Sequence, residues 1–445
     1  MNNRVPENEE KDVFRGVSRR DFVRYLVAGS ALSITALNRM NAAVYQSITS
    51  LNQKYIEDES PDGVYWEALS KHFMFQDGFI MMNNGTVGPM PKPVFNTLLK
   101  AFKVQATNPY DVYSFIPRKR SEVRAKVAAF LGTSEDNIVL TRNTTEGMNF
   151  SANGLDLKEG DEILLSDMEH PGGTHPWNLK RARYGITIKT VPLGLPSKSV
   201  EQVVGAFEKA ITPKTKAISI SQTVFISGLI APIKELCEMA HKKGVLVIAD
   251  SAHGIGMLDM NLETMGVDLF ATSPYKWLGA PCGVGVFYVK KELQDKLWPT
   301  IASSGWDREG TAARFETLGQ RADPLIIALG EAIDFQNRIG KHRIEKRIKT
   351  MAGYLKRELG RIPGIKLHTP MDPYLSGGLT AFSVEGVDPR KMVDYVREKY
   401  NIVIRTIGNP QRGTYGVRVS THIFVSMKHI DMFLEGVGHL ARRKV

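Results

Sequence analysis

Between residues 137 and 289 short apolar runs rich in β-branched residues alternate with longer amphipathic stretches, and this alternation limits the fold more than any other feature. The runs are "NIVLT", "EILLSD", "ITIKTVPL", "KAISISQ", "VLVIADSA", "DLFATS" and "GVGVFYV". Between them lie "SVEQVVGAFEKAI" and "PIKELCEMAHKKG", apolar at helical spacing, the second ending on a glycine stop. Strands and helices in such close alternation predict an α/β fold, a mainly parallel sheet flanked by helices. After about Ile333 the pattern changes to a charged helix, strands "GIKLHT" and "LTAFSVEG", a helix, strands "NIVIRT" and "GVRVSTHIFV", and a last helix. That reads as a smaller α+β C-terminal domain. With 445 residues, 42% of them hydrophobic, the chain can bury a core large enough for both.

The front of the chain reads as an address. A polar start leads to Ser18-Arg19-Arg20-Asp21-Phe22-Val23 and then to a mildly apolar stretch from Tyr25 to Leu37. This is the pattern of a twin-arginine export signal, with an apolar run short for a membrane span. The domains expected are therefore a signal segment over 1–43, an N-terminal segment with the large α/β domain over 44–333, and the small domain over 334–445. The formal charge is +11, but lysines and arginines are interleaved with acids, which argues against nucleic acid as a partner. The two cysteines, Cys237 and Cys282, form neither a disulfide framework nor a metal-ligand spacing, so no metal is expected.

In open α/β sheets ligands bind beyond the carboxyl ends of the strands. After "NIVLT" come Asn143, Thr144 and Thr145 at a helix start, where unpaired N–H groups and hydroxyls make an anion site; taken alone they serve equally as an N-cap. After "EILLSD" comes His170, which alone could be structural. "VLVIAD" ends on Asp250, partly desolvated and in want of a cationic or N–H partner, with His253 three residues on. "FATSPYK" then delivers Ser273, Tyr275 and Lys276. A lysine desolvated in a polar cleft loses proton affinity and becomes a nucleophilic amine. An amine for an aldehyde, a carboxylate for a ring nitrogen, a phosphate cradle and a ring-stacking partner have one joint explanation, pyridoxal 5'-phosphate.

In these motifs the chain resembles the class V aminotransferase and cysteine desulfurase-like group of fold type I pyridoxal-phosphate enzymes, nearest to its isopenicillin N epimerase-like members, over about residues 75–440. "TRNTTEGMN" is similar to the group's phosphate loop, "MEHPGGTHPW" to its stacking-histidine segment, "ADSAHGIG" to its aspartate motif and "TSPYKW" to its lysine motif. The resemblance implies that Lys276 holds the cofactor and moves protons at the substrate α-carbon, Asp250 binds the ring nitrogen and His170 stacks on the ring. It places His253 near the ring hydroxyl and Asn143, Thr144, Thr145, Ser273 and Tyr275 around the phosphate. "GVRVSTHIF" is similar to the strand whose arginine grips the substrate carboxylate, giving Arg418, with Asn84 of "NNGTVGPMP" beside the substrate. A surface salt bridge is the plainer reading of Arg418.

Three departures narrow this. No cysteine occurs in "NIVIRTIGNPQRGTYGVRV", where desulfurases carry their persulfide cysteine. The group's Gly-Thr, reaching the neighbouring subunit's phosphate, is here Gly319-Gln320, and Phe225 stands where desulfurases have asparagine. The expectation is a homodimeric, exported, periplasmic enzyme, membrane-tethered if the signal is retained, acting at the α-carbon of an amino acid or amino-acid-bearing metabolite. Aminotransferase or epimerase chemistry leads; C–S lyase or oxidative decarboxylase chemistry follows, and a non-catalytic binder on this fold comes last. Its partners are that substrate and the twin-arginine translocase. Because that receptor reads the arginine pair rather than its charge, changing Arg19 and Arg20 together to lysine should strand the protein in the cytoplasm. Unchanged export on cell fractionation would mean a different address.

Overall fold

A computed structural model of the chain describes residues 34–55, 63–110, 115–408 and 415–443. The Arg19-Arg20 motif lies outside the described residues. Each of the seven apolar runs forms a strand of one sheet. They are β2 (Ile138–Thr141), β3 (Glu162–Ser166), β4 (Thr187–Val191), β5 (Thr215–Ser221), β6 (Leu246–Ser251), β7 (Leu269–Thr272) and β8 (Gly285–Val289), in spatial order β2-β8-β7-β6-β5-β3-β4. β3, β4, β5, β6 and β7 pair in parallel, while β8 runs antiparallel to both β7 and β2. All but the partly exposed edge strand β4 read as apolar runs because both faces are covered. Val247, Ala249, Phe270, Val286 and Tyr288 point into one core, and Ile248, Leu269, Ala271, Phe287 and Val289 into the other. Alternation along a strand sends successive residues to opposite faces, so two cores grow from one sheet.

The smaller part holds a four-stranded antiparallel sheet in the order β12 (Arg405–Ile407), β13 (Gly416–Ser420), β10 (Leu379–Val384), β9 (Ile365–Leu367). The chain's first strand, β1 (Ile80–Met81), pairs in parallel with β11 (Ile402–Val403), so the front of the chain is tied to its far end. Asn401 turns the chain into β11 in the left-handed region, φ 55°, and its Nδ2 donates to the Gly78 carbonyl at 3.0 Å.

Neither expected boundary coincides with a break. The helix Asp323–Ile339 runs on through residue 333, and the chain turns only at Gly340, φ +98°, before the helix Lys341–Gly360. The turn, not the change of composition, ends the segment. Likewise the helix Ile34–Lys54 passes residue 43 unbroken. Its Leu37 and Ile48 are buried, and Asn41 donates to the Pro93 carbonyl at 3.2 Å and to Thr97 Oγ1 at 3.1 Å. Arg338 lies 4.0 Å over the Tyr45 ring. Residues from 34 onward are therefore docked on the large domain. Ile48→Ala, at a position with no exposed surface, should cost about 2–5 kcal/mol, seen as a lower urea midpoint with an unchanged slope. A neutral result would mean that this helix contributes nothing to the folded body.

Candidate active site

The carboxyl ends of β2, β3, β5, β6 and β7 lie at one edge of the large sheet, and the expected residues gather there. Lys276 sits half-buried in the turn that follows β7. Its backbone is pinned on both sides. Its N–H donates to the Ser273 carbonyl at 3.2 Å, and its carbonyl accepts from Asn84 Nδ2 at 2.7 Å. The next residue, Trp277, is fully buried; its carbonyl accepts from Gln336 Nε2 at 2.9 Å and lies 3.0 Å from His422 Nε2. Across the gap Gly88 donates to the Tyr275 carbonyl at 2.9 Å, and any side chain at Gly88 would drive its Cβ into the Lys276 carbonyl oxygen.

Burial lowers the Lys276 pKa to about 8, Arg418 and Arg405 push the same way, and Asp250 opposes them. Asp250, 5% exposed near the end of β6, accepts from the Ala252 N–H at 3.1 Å through Oδ1. A Cβ on Gly173 would lie 2.9 Å from its Oδ2, so glycine is what lets the neighbouring helix approach the carboxylate. Desolvation raises the Asp250 pKa against that N–H and the Lys276 charge.

His170 is the N-cap of the helix Pro171–Tyr184, its Nδ1 accepting from the Gly172 N–H at 3.0 Å. That bond leaves the proton of the neutral ring on Nε2. Phe225 meets the ring edge to face, centroids 5.0 Å apart at 82°. Partial burial lowers the His170 pKa first, followed by the charges of Lys276, Arg405 and Arg418. His253 is buried, its Nδ1 accepting from Trp277 Nε1 at 3.2 Å, and burial holds its pKa well below the ordinary imidazole value.

The phosphate-loop residues divide. Thr144 donates its N–H to Ser273 Oγ at 3.1 Å, and the two hydroxyl oxygens are 2.7 Å apart, so the loops after β2 and β7 meet in a hydroxyl pair at the start of the helix Thr144–Gly154. Thr145 is exposed, its hydroxyl 2.8 Å from where a Cβ on Gly172 would stand. The Asn143 side chain is committed to the N-cap, accepting from the Glu146 N–H at 3.0 Å. Of the two readings open for this residue, the cap holds for the side chain. Gln320 is exposed and makes no hydrogen bond to the cluster among the described residues.

Arg418, expected at the surface on the plainer reading, is 1% exposed. Its Nη1 donates to the Phe225 carbonyl at 2.9 Å and its Nη2 to Asn83 Oδ1 at 3.4 Å, while Nε is buried without a partner. Burial and then Arg405 lower its pKa to about 9. Asn84 Oδ1 is a second buried atom without a partner.

Sequence reasoning missed Glu169. Its carboxylate accepts from the hydroxyl of Ser166, from the Ser221 N–H at 2.8 Å and from Ser221 Oγ. Burial, with the Asp250 charge behind it, raises its pKa to about 7. The available signal was an acid directly before His170 at the end of an apolar strand.

These residues fit pyridoxal phosphate. An amine of lowered pKa, a buried carboxylate, an oriented imidazole and paired hydroxyls at a helix N-terminus match its aldehyde, ring nitrogen, ring face and phosphate. Two buried polar atoms of this site, Arg418 Nε and Asn84 Oδ1, have no hydrogen-bond partner among the described residues. Because only the free amine attacks an aldehyde, reductive labelling of apoprotein Lys276 by a small aromatic aldehyde, followed by mass spectrometry, should rise with pH and level off near pH 8. An ordinary lysine would climb to about 10.4. Asp250 raises the amine's proton affinity, so Asp250→Asn should move the plateau to lower pH. Labelling still climbing at pH 10 would put the amine in open solvent.

Residues 83–433 match the family model for aminotransferase class-V. Isopenicillin N epimerase of Amycolatopsis lactamdurans is 30% identical over 396 residues, covering 85% of this chain and 99% of that protein. A probable cysteine desulfurase of Methanothermobacter thermautotrophicus is 29% identical over 343 residues, 74% of this chain and 83% of that one. In fold the chain is similar to the Escherichia coli cysteine desulfurase CsdA, with a TM-score of 0.75 at 22% identity over 85% of this chain and 98% of that one. A cystine C–S lyase solved with cysteine persulfide gives 0.73 at 23% identity over 81% and 97%. The chain belongs to the class V aminotransferase family of pyridoxal-phosphate-dependent enzymes.

Proposed function

We propose that this enzyme acts at the α-carbon of an amino acid or an amino-acid-bearing metabolite, as an aminotransferase or epimerase. The observation that carries this reading is Arg418: buried, held among the described residues by the neutral Phe225 carbonyl and Asn83 Oδ1, and near enough to Lys276 to lower the amine's pKa. A buried, unpaired guanidinium is costly unless a ligand supplies its counter-charge, and its planar fork suits a carboxylate. When bound, pyridoxal phosphate supplies the electron sink that stabilises negative charge developed at the α-carbon. The Lys276 amine, free in part at neutral pH, takes a proton there and returns it. Asp250 supplies the carboxylate for the ring nitrogen, and His170, oriented by its cap and by Phe225, supplies the ring contact.

Kinship to isopenicillin N epimerases supports the reading. Cys237 is buried and Cys282 is exposed beyond the lysine turn, so the 401–419 segment holds no persulfide carrier and desulfuration by that route is disfavoured. The Arg19-Arg20 motif supports twin-arginine export to the periplasm, and the family resemblance supports a homodimer.

Arg418→Lys removes a bidentate, charge-assisted pair worth roughly 1.5–3 kcal/mol. It should lower kcat/KM for amino acids by about 10- to 100-fold and leave the cofactor spectrum unchanged. Because the grip also orients the reacting bond, part of the loss should fall on kcat. Amines without a carboxylate are the control. If they suffer equally, Arg418 supports the fold, and if no amino acid or peptide changes the holoenzyme spectrum the reading fails.

A further inference from the structure

Arg418 has a companion that the mechanism above leaves unused. In the antiparallel pairing of β12 with β13, Arg405 stands directly opposite Arg418. Directly opposed residues project from the same face with Cβ atoms about 4.5–5.5 Å apart, and like charges so placed destabilise a sheet. Among the described residues both guanidiniums meet neutral partners, Arg418 buried and Arg405 exposed. The recorded neighbours of Arg405 are neutral: its Nε donates to the Thr406 carbonyl and its Nη1 to Thr86 Oγ1, both at 3.2 Å.

A charge on an edge strand can serve merely to block pairing with other chains, and β12 is an edge. That purpose does not require a position opposite a buried arginine. Nor does it explain a field directed inward, for Arg405 depresses the proton affinity of Arg418, Lys276, His170 and His253 alike. The Thr144–Ser273 hydroxyl pair, which would hold the cofactor phosphate, belongs to the loops of the large sheet and not to this row. Beyond Arg405 in the same cross-strand row lie Arg418 and then Ala381, whose methyl group brings no countercharge.

We infer that Arg405 and Arg418 form a two-guanidinium clamp for a substrate with two carboxylates, Arg418 taking the α-carboxylate and Arg405 a second one on the side chain. The inference rests on the amino-acid reading above and narrows it to dicarboxylic amino acids. A bound dianion adds countercharge to both the buried Arg418 and the exposed Arg405, which gives selectivity against monocarboxylic analogues.

Two measurements on the holoenzyme test it. By calorimetry, glutarate should bind at least tenfold more tightly than butyrate, and Arg405→Gln should erase that difference; equal affinities in the unmodified protein would overturn the clamp. In turnover, the ratio of kcat/KM for glutamate or 2-aminoadipate to that for norvaline should exceed ten and collapse about 10- to 100-fold in Arg405→Gln. Arg418→Lys should lower both substrates in parallel. A ratio untouched by Arg405→Gln, or a phospho-amino acid preferred over glutamate, would sink the proposal. If no amino acid is turned over, the α-carbon reading falls while calorimetry still decides the clamp.

Discussion

An amine that must be uncharged part of the time, in a site crowded with cations, is the constraint on which the rest of the site depends. Lys276 has Asp250 as its opposing carboxylate, and Arg418 and Arg405 push against its proton. Desolvation alone would neutralise the amine, and a close ion pair alone would hold it charged, so the position between them sets the pKa near 8. A change of an ångström in the backbone would shift that balance. The turn is accordingly fixed through its carbonyls by Asn84, Gln336 and Gly88, and through the buried Trp277 ring stacked on His422.

The same fixing joins parts of the chain remote in sequence. Gly85 donates to Ser420 Oγ at 3.1 Å, and a Cβ on Gly85 would lie 2.5 Å from Arg418 Nη2. Residues 83–88 therefore touch the lysine turn of the large domain and the arginine strand of the small one at once. The β1–β11 pair holds this loop in place, which explains why so short a pairing matters. Lys276 and Arg418 are thus both held from one loop, through Asn84 and Asn83.

The large sheet was legible because its inner strands are apolar on both faces, leaving runs such as "VLVIAD" that no surface helix would show. Asp250 and Lys276 were legible for the opposite reason: charge placed where the apolar run stops. The domain boundaries were not, since composition changes at residue 333 while the helix Asp323–Ile339 continues until Gly340 permits a turn. Arg405 was hidden because its meaning lies in cross-strand register, and a residue's partner across a sheet is not written beside it. Asn143 shows a local signal with two uses, cap and anion site, of which the side chain takes the first.

Glu169 and Asp250 show how two neighbouring carboxyl groups come to differ. Asp250 is buried and Glu169 partly so, and desolvation raises the pKa of each. Asp250 has the Lys276 cation and the Ala252 N–H to favour its charged form. Glu169 has neutral donors, the Ser166 and Ser221 hydroxyls and the Ser221 N–H, and feels the Asp250 charge besides. Desolvation, with the Asp250 charge behind it, raises the Glu169 pKa to about 7. At Asp250 desolvation also raises the pKa, and the Ala252 N–H and the Lys276 charge oppose it. β5 carries the division of labour, because Ser221, which ties down Glu169, is the cross-strand partner of Asp250. A single register thus sets Glu169, held by neutral donors, beside Asp250, which faces the Lys276 charge.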